Sequence, residues 1–143
     1  MEPPPPPEPK DYIVDCEKRN FQDSIDYCTS RGCTISSFHS DDDINSVKDR
    51  LTCKAYIGAT SDGNGKWSYI DGTEWWAYSQ NDGLAGIGET KIVWNDDGTG
   101  WHDWKTGEDP QGVICQQCQG KCYDKVIDIF LVTIIHTCYA YCI

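Results

Sequence analysis

The chain has 143 residues, nine of them Cys, and a formal net charge of −11. That length allows one domain with a modest core, and the negative charge excludes nucleic acid or an anionic membrane as the natural partner. The cysteine content points to a disulfide framework in an oxidising, secreted or extracellular setting rather than to zinc, because Cys115-x2-Cys118 is the one CxxC and no second completes a ribbon.

The opening "MEPPPPPEPK", residues 1–10, reads as a proline-rich stalk in polyproline II conformation. It has no apolar run of the secretory kind, so the export route stays open. Asn20 is placed to cap a helix from Phe21, with Phe21, Ile25 and Cys28 on one face and Gly32 as its stop. "CTISSFHS", around Ile35, reads as a short strand. Ser40 with Asp43 three residues on is a capping box, opening a second helix that carries Ile44, Val47 and Leu51. The period then changes. "AYIGA" is a strand, and "GNGKWSYIDG" is a hairpin edge with Trp67 and Tyr69 alternating. Residues 77–89 have turn chemistry and no period, and read as a long loop. "KIVWN", "DDGTG" and "WHDW" make strand, turn and strand, with Asp97–Gly98 supplying the positive-φ positions. "GVICQ" is a last strand. Two helices followed by short antiparallel strands make the class α+β.

These residues together resemble a C-type lectin-like domain over 12–116. The pattern runs from Phe21 and Cys28 through "TISSFHS" (34–40), "YIGA" (56–59) and Trp67 with Asp71–Gly72, to Trp101–His102–Asp103 and the closing "ICQ" (114–116). The domain boundaries are then 1–10 stalk, 11–116 lectin-like domain and 117–143 extension. The resemblance implies a long disulfide, Cys28–Cys115. It also implies a second staple, but Lys91 and Thr106 stand at those positions, so that staple is expected to be absent. Cys33 and Cys53 flank the second helix and are offered as a replacement pair, while Cys16, near the N-terminal strand, has no evident partner.

The resemblance further implies calcium as the one cofactor, held by oxygens from the long loop and from the Trp101–Asp103 strand, with vicinal sugar hydroxyls completing the shell. Gln80–Asn81–Asp82, Glu89 and His102–Asp103 occupy those places. Two departures weigh against the metal. Asn81 stands where the family has a cis proline, and a cis bond before a non-proline costs about 3–4 kcal/mol. His102 replaces an amide oxygen with imidazole nitrogen, a poor calcium ligand. Asp82, Glu89 and Asp103 are therefore either a reduced calcium trio or solvated loop acids; His102 with one acid is too few ligands for zinc or copper. Trp75, Trp76 and Tyr78 lead into the loop and either stack on a ligand or cover the core beneath it. The candidate ligand-binding set is Trp75, Trp76, Tyr78, Gln80, Asp82, Glu89, His102 and Asp103.

Residues 117–143 lie outside the pattern. Cys118-x3-Cys122 and Cys138-x3-Cys142 resemble a twin C-x3-C hairpin, in which Cys118, Cys142, Cys122 and Cys138 form two staples. Against that, the intervening "VIDIFLVTII" lacks a turn residue and reads better as a strand or a buried helix than as a hairpin tip. Asp128 interrupts it, and it is too short for a clear membrane span. Two functions follow. One is an extracellular recognition module binding a glycan or glycoprotein through the long loop, with no enzymatic role, since no nucleophile–base or paired-carboxylate spacing stands out. The other is a structural protein of an extracellular array that self-associates or holds a protein partner through 117–143.

Overall fold

A computed structural model of the chain describes Pro3 and residues 10–116. The expectations for the proline-rich stalk and for Cys118, Cys122, Cys138 and Cys142 lie outside those residues.

Helix α1 spans Phe21–Ser30, and the Asn20 side chain accepts the Asp23 N–H at 2.8 Å to start it. Gly32 takes a φ of 72° just beyond its end, a turn a β-carbon would resist. Helix α2 spans Asp41–Lys48. The Ser40 hydroxyl accepts the Asp43 N–H at 3.2 Å, and the Asp43 carboxylate reaches back to the His39 N–H at 2.9 Å, one residue earlier than a reciprocal capping box would have it. Leu51, expected on this helix, lies past its end and packs half-buried on the core.

Seven strands follow the chain: β1 Tyr12–Arg19, β2 Thr34–Ile35, β3 Ala55–Ser61, β4 Trp67–Tyr69, β5 Lys91–Asn95, β6 Gly100–Trp104 and β7 Gln111–Gln116. They form one sheet in the order β1-β7-β3-β5-β6, with β2 paired to β7 and β4 to β3. Every pairing is antiparallel except β3 with β7. The strand expected over "CTISSFHS" shrinks to two residues, because the chain then turns to serve β3: Ser36 O accepts the Gly58 N–H at 2.8 Å. A β-carbon on Gly58 would stand 2.4 Å from that oxygen, so glycine is needed for the approach.

The central strands are buried on both faces, which is why they read as unbroken apolar runs. Along β5, Ile92 and Trp94 enter one core cluster while Val93 enters another; along β7, Ile114 joins the first and Val113 and Cys115 the second. The first cluster centres on Phe38, Ile57 and Trp101, all fully buried. The second lies under α1, through Phe21 and Cys28.

Cys28 and Cys115 are bonded, with Cα atoms 5.6 Å apart, closing 87 residues between α1 and β7. The replacement pair is not Cys33–Cys53. Cys53 bonds to Cys16, Cα to Cα 5.9 Å. The register of β1 on β7 slips between Asp15 and Arg19, at the position of Cys16, and Cys53 meets it beside Gly112, whose absent β-carbon would stand 2.9 Å from the Cys53 sulfur. Cys33 instead turns into the second cluster, where it is buried with Phe21 and Ile35.

Candidate functional site

The long loop lies along the outer edge of β6. Trp101 donates its N–H to Gln80 O at 3.0 Å, and Asp82 donates its N–H to Trp101 O at 3.1 Å, so residues 80–82 act as an extra strand. Local side chains shape the turn that follows. Asn81 Oδ1 accepts the Gly83 N–H at 2.8 Å, and Asp82 Oδ1 accepts the Leu84 N–H at 3.0 Å. Leu84 has φ of 47°, the one non-glycine residue with positive φ among the described residues. Its side chain is buried and its carbonyl accepts the Trp67 indole N–H at 2.9 Å. Gly86 donates its N–H to Asp103 Oδ2 at 2.9 Å. The peptide bonds of the described residues are all trans, Gln80–Asn81 included.

The rings of the candidate set divide. Tyr78 is buried, 8% exposed, against Trp94 and Trp101. Its hydroxyl donates to Gln80 Oε1 at 2.8 Å, while Gln80 Nε2 donates to Gly98 O at 2.6 Å. That buried ring belongs to the core rather than to a contact surface. Trp75 packs on Tyr69 at 4.8 Å and on Trp67 at 6.2 Å between centroids; Trp76 meets the edge of Trp101 at 6.3 Å. Both are partly buried. Trp94 and Trp101 are interior, and Trp104 is half-buried with its indole N–H on Asp109 at 3.1 Å.

In the β5–β6 turn only the glycines take positive φ, Gly98 at 86° and Gly100 at 88°. Asp97 serves by its carboxylate instead, accepting the Thr99 N–H at 2.9 Å and its hydroxyl at 2.5 Å. Since that hydroxyl gives its proton to Asp97, it accepts from His102 Nε2 at 2.7 Å. His102 Nδ1 then faces Asp82 Oδ2 at 3.4 Å. Thr99 and Gly86 thus orient His102 and Asp103. Sequence reasoning missed both; the Asp-x-Thr spacing of the turn was a usable signal for Thr99, and nothing local marks Gly86.

The acids sense one another. Burial raises the Asp103 carboxyl above its ordinary range; Asp82 beside it raises it further, against the pull of the Gly86 N–H. Burial raises Glu89 as well, with Asp103 and then Asp82 adding to it. Yet among the described residues no three His, Cys, Asp or Glu side chains converge as metal ligands would. One oxygen of Asp103 and one of Asp82 are already bonded to loop N–H groups. His102 and Asp103 reach from β6 to the loop, at Asp82 and at the Gly86 N–H, and Asp82 lies beside both; Trp75 and Trp76 pack instead on the ring of Trp101.

No family model matches the chain, and no curated protein matches its sequence. Solved structures do match. A calcium-independent type II antifreeze protein is 17% identical, with 78% of this chain and 93% of that one covered and a TM-score of 0.62. The C-type lectin domain of murine dendritic cell inhibitory receptor 2, solved with N-glycan, is 20% identical over 78% and 97%, TM-score 0.62. The cow carbohydrate-recognition domain of CD23, solved in the presence of an oligosaccharide, is 20% identical over 78% and 95%, TM-score 0.60. The fold of this chain is therefore the C-type lectin-like fold, in the α+β form its sequence implies.

Proposed function

We propose that the chain is an extracellular, non-enzymatic recognition module that binds a glycan or glycoprotein through the long-loop face. The observation that carries this is the double backbone bond between Trp101 and residues Gln80 and Asp82. It fixes an irregular loop in advance, so little conformational entropy is lost when a ligand docks. Asp82 and His102 meet on that fixed frame, Trp76 packs on the Trp101 ring that anchors it, and all three are only partly covered, offering carboxylate, imidazole and aromatic groups of the kinds a sugar uses. The glycan complexes of two structural neighbours support the ligand class. The disulfides support an oxidising compartment.

Calcium is not the organiser in this reading. The Gly86 N–H holds one oxygen of Asp103 and the Leu84 N–H one oxygen of Asp82, so each acid has a single oxygen left that no loop N–H engages. Calorimetry of metal-stripped protein against a glycan panel, with and without calcium, tests both parts. Binding that survives chelation and is lost in Trp76→Ala and Asp82→Ala supports the proposal. Binding that needs calcium and fails in Asp103→Ala would restore the metal. A silent panel, with self-association that disappears on deleting 117–143, would favour the assembly role.

A further inference from the structure

Lys91 opens β5, and its partner across the sheet is Trp104. Lys91 and Thr106 stand where the resemblance places the second disulfide. In this chain the two residues line a cavity of about 250 Å3 instead, together with Asn20, Phe21, Gln22 and Glu108. Gly107 fixes one wall of it. Its carbonyl accepts the Phe21 N–H at 2.7 Å, and a β-carbon on it would stand 2.7 Å from Phe21 Cβ and 3.2 Å from Lys91 Cγ. With φ of 83° as well, only glycine lets the start of α1 and the lysine stem come this close.

The Lys91 side chain is half-buried, and its ammonium group meets only neutral partners. It donates to Thr90 Oγ1 at 3.2 Å, to Thr60 Oγ1 at 3.3 Å and to Thr90 O at 3.4 Å, and it lies 5.0 Å from the centroid of the Phe21 ring. These are acceptor oxygens and a ring face, as a protonated amine requires, but the hydrogen bonds are long. No carboxylate lies within ion-pair distance of it among the described residues. Burial pulls the amine below its ordinary 10.5, and no acid offsets that. Glu108 lines the same cavity but is exposed and forms no ion pair with it. A cation drawn partly out of water without a counter-charge carries a cost that an anion beside it would remove.

We propose that the cavity at Lys91 is a binding site for a small oxyanion, a carboxylate, sulfate or phosphate group, carried on an acidic sugar or free in solution. Lys91 supplies the charge, and the Thr106 hydroxyl and the Asn20 and Gln22 amides line the same space with protons to give. The cavity is smaller than an ordinary small-molecule pocket, which suits one charged substituent rather than a whole oligosaccharide. The net charge of −11 opposes an anion mainly at long range, and such fields fade over about 8 Å at physiological salt. None of Trp76, Asp82, His102 and Asp103 lines this cavity, so its failure as a site would leave the long-loop reading untouched.

Amide NMR of the full chain tests the site, with sodium sulfate titrated against sodium chloride at matched ionic strength. Saturable shifts at Gln22, Thr106 and Gly107 are expected with sulfate and not with chloride. Lys91→Met keeps an unbranched stem beside Phe21 and removes the charge, so it should weaken binding by about ten-fold or more. Glu108→Gln removes a carboxylate from an exposed position and should tighten binding. Sulfated galactose, run against galactose, separates the sources. Affinity above that of inorganic sulfate supports an acidic sugar as the ligand, and equal affinity supports the free ion. Shifts that never saturate, or undiminished binding in a natively folded Lys91→Met, would overturn the proposal. Should Lys91→Met not fold, Glu108→Gln decides: no tightening there refutes the site.

Discussion

A β-carbon on Gly100 would stand 2.0 Å from the carbonyl oxygen of Gln80. That oxygen accepts the Trp101 N–H, so the tightest approach in the site is also the bond that docks the long loop. Gly100 has φ of 88°, where an L side chain is strained. Gly100→Ala should cost about 2–4 kcal/mol and undock residues 80–82. Denaturant unfolding measures the first effect and amide exchange at Asp82 the second. An unchanged midpoint would mean the loop does not lean on β6.

The two disulfides differ in reach. Cys28–Cys115 spans 87 residues and Cys16–Cys53 spans 37. Loop-entropy reasoning gives about 4–5 kcal/mol for the first and about 3–4 kcal/mol for the second. Cys16→Ser with Cys53→Ser should leave a folded domain with a lower melting temperature. Cys28→Ser with Cys115→Ser should lose more, since the pair is also buried in the core under α1. Peptide mapping without reduction should recover Cys16 linked to Cys53.

Asp71 should govern part of the acid stability. Burial alone would raise its carboxyl, but the Ser37, Thr73 and Gln116 donors outweigh that and hold it below its ordinary 3.8. A depressed folded value means that the contribution is complete above 3.8 and is lost as pH falls through the lower folded value. Asp71→Asn should therefore be less stable than the native chain at neutral pH, with the gap closing in that acid window. Melting curves from neutral to strongly acidic pH check it; a constant gap would show that Asp71 acts by shape alone.

Much of this fold was legible because its signals are local. Asn20 and Ser40 announce helix starts through side chains that bond three residues on, and the apolar runs at 55–59 and 91–95 mark strands buried on both faces. What the sequence hid depends on distant partners. Cys16–Cys53 follows from a register slip on β7, invisible in the composition of β1. Tyr78 looked like Trp76 in the sequence, yet only the fold puts it beneath the loop, between Trp94 and Trp101. The sequence groups Asp82, Glu89 and Asp103 as a trio without saying how they meet. Their mutual repulsion, and the Gly86 N–H that relieves part of it, needed the three-dimensional arrangement.

That repulsion has a measurable consequence. Burial and Asp82 raise the Asp103 carboxyl, so the folded protein binds its proton more tightly than the unfolded chain does. At neutral pH the ionised pair works against folding, and the penalty fades as pH falls through the raised folded value toward the ordinary 3.8. Asp103→Asn keeps an oxygen for the Gly86 N–H and removes one charge. It should melt at the same or a higher temperature than the native chain at neutral pH, and lose that advantage on acidification. The same substitution also separates the two views of the site. A face that recognises its ligand without metal should keep most of its affinity in Asp103→Asn, because the frame at Gln80, Asp82 and Trp101 is untouched. A face organised by calcium should lose both the metal and the ligand together, which calorimetry on the variant would show.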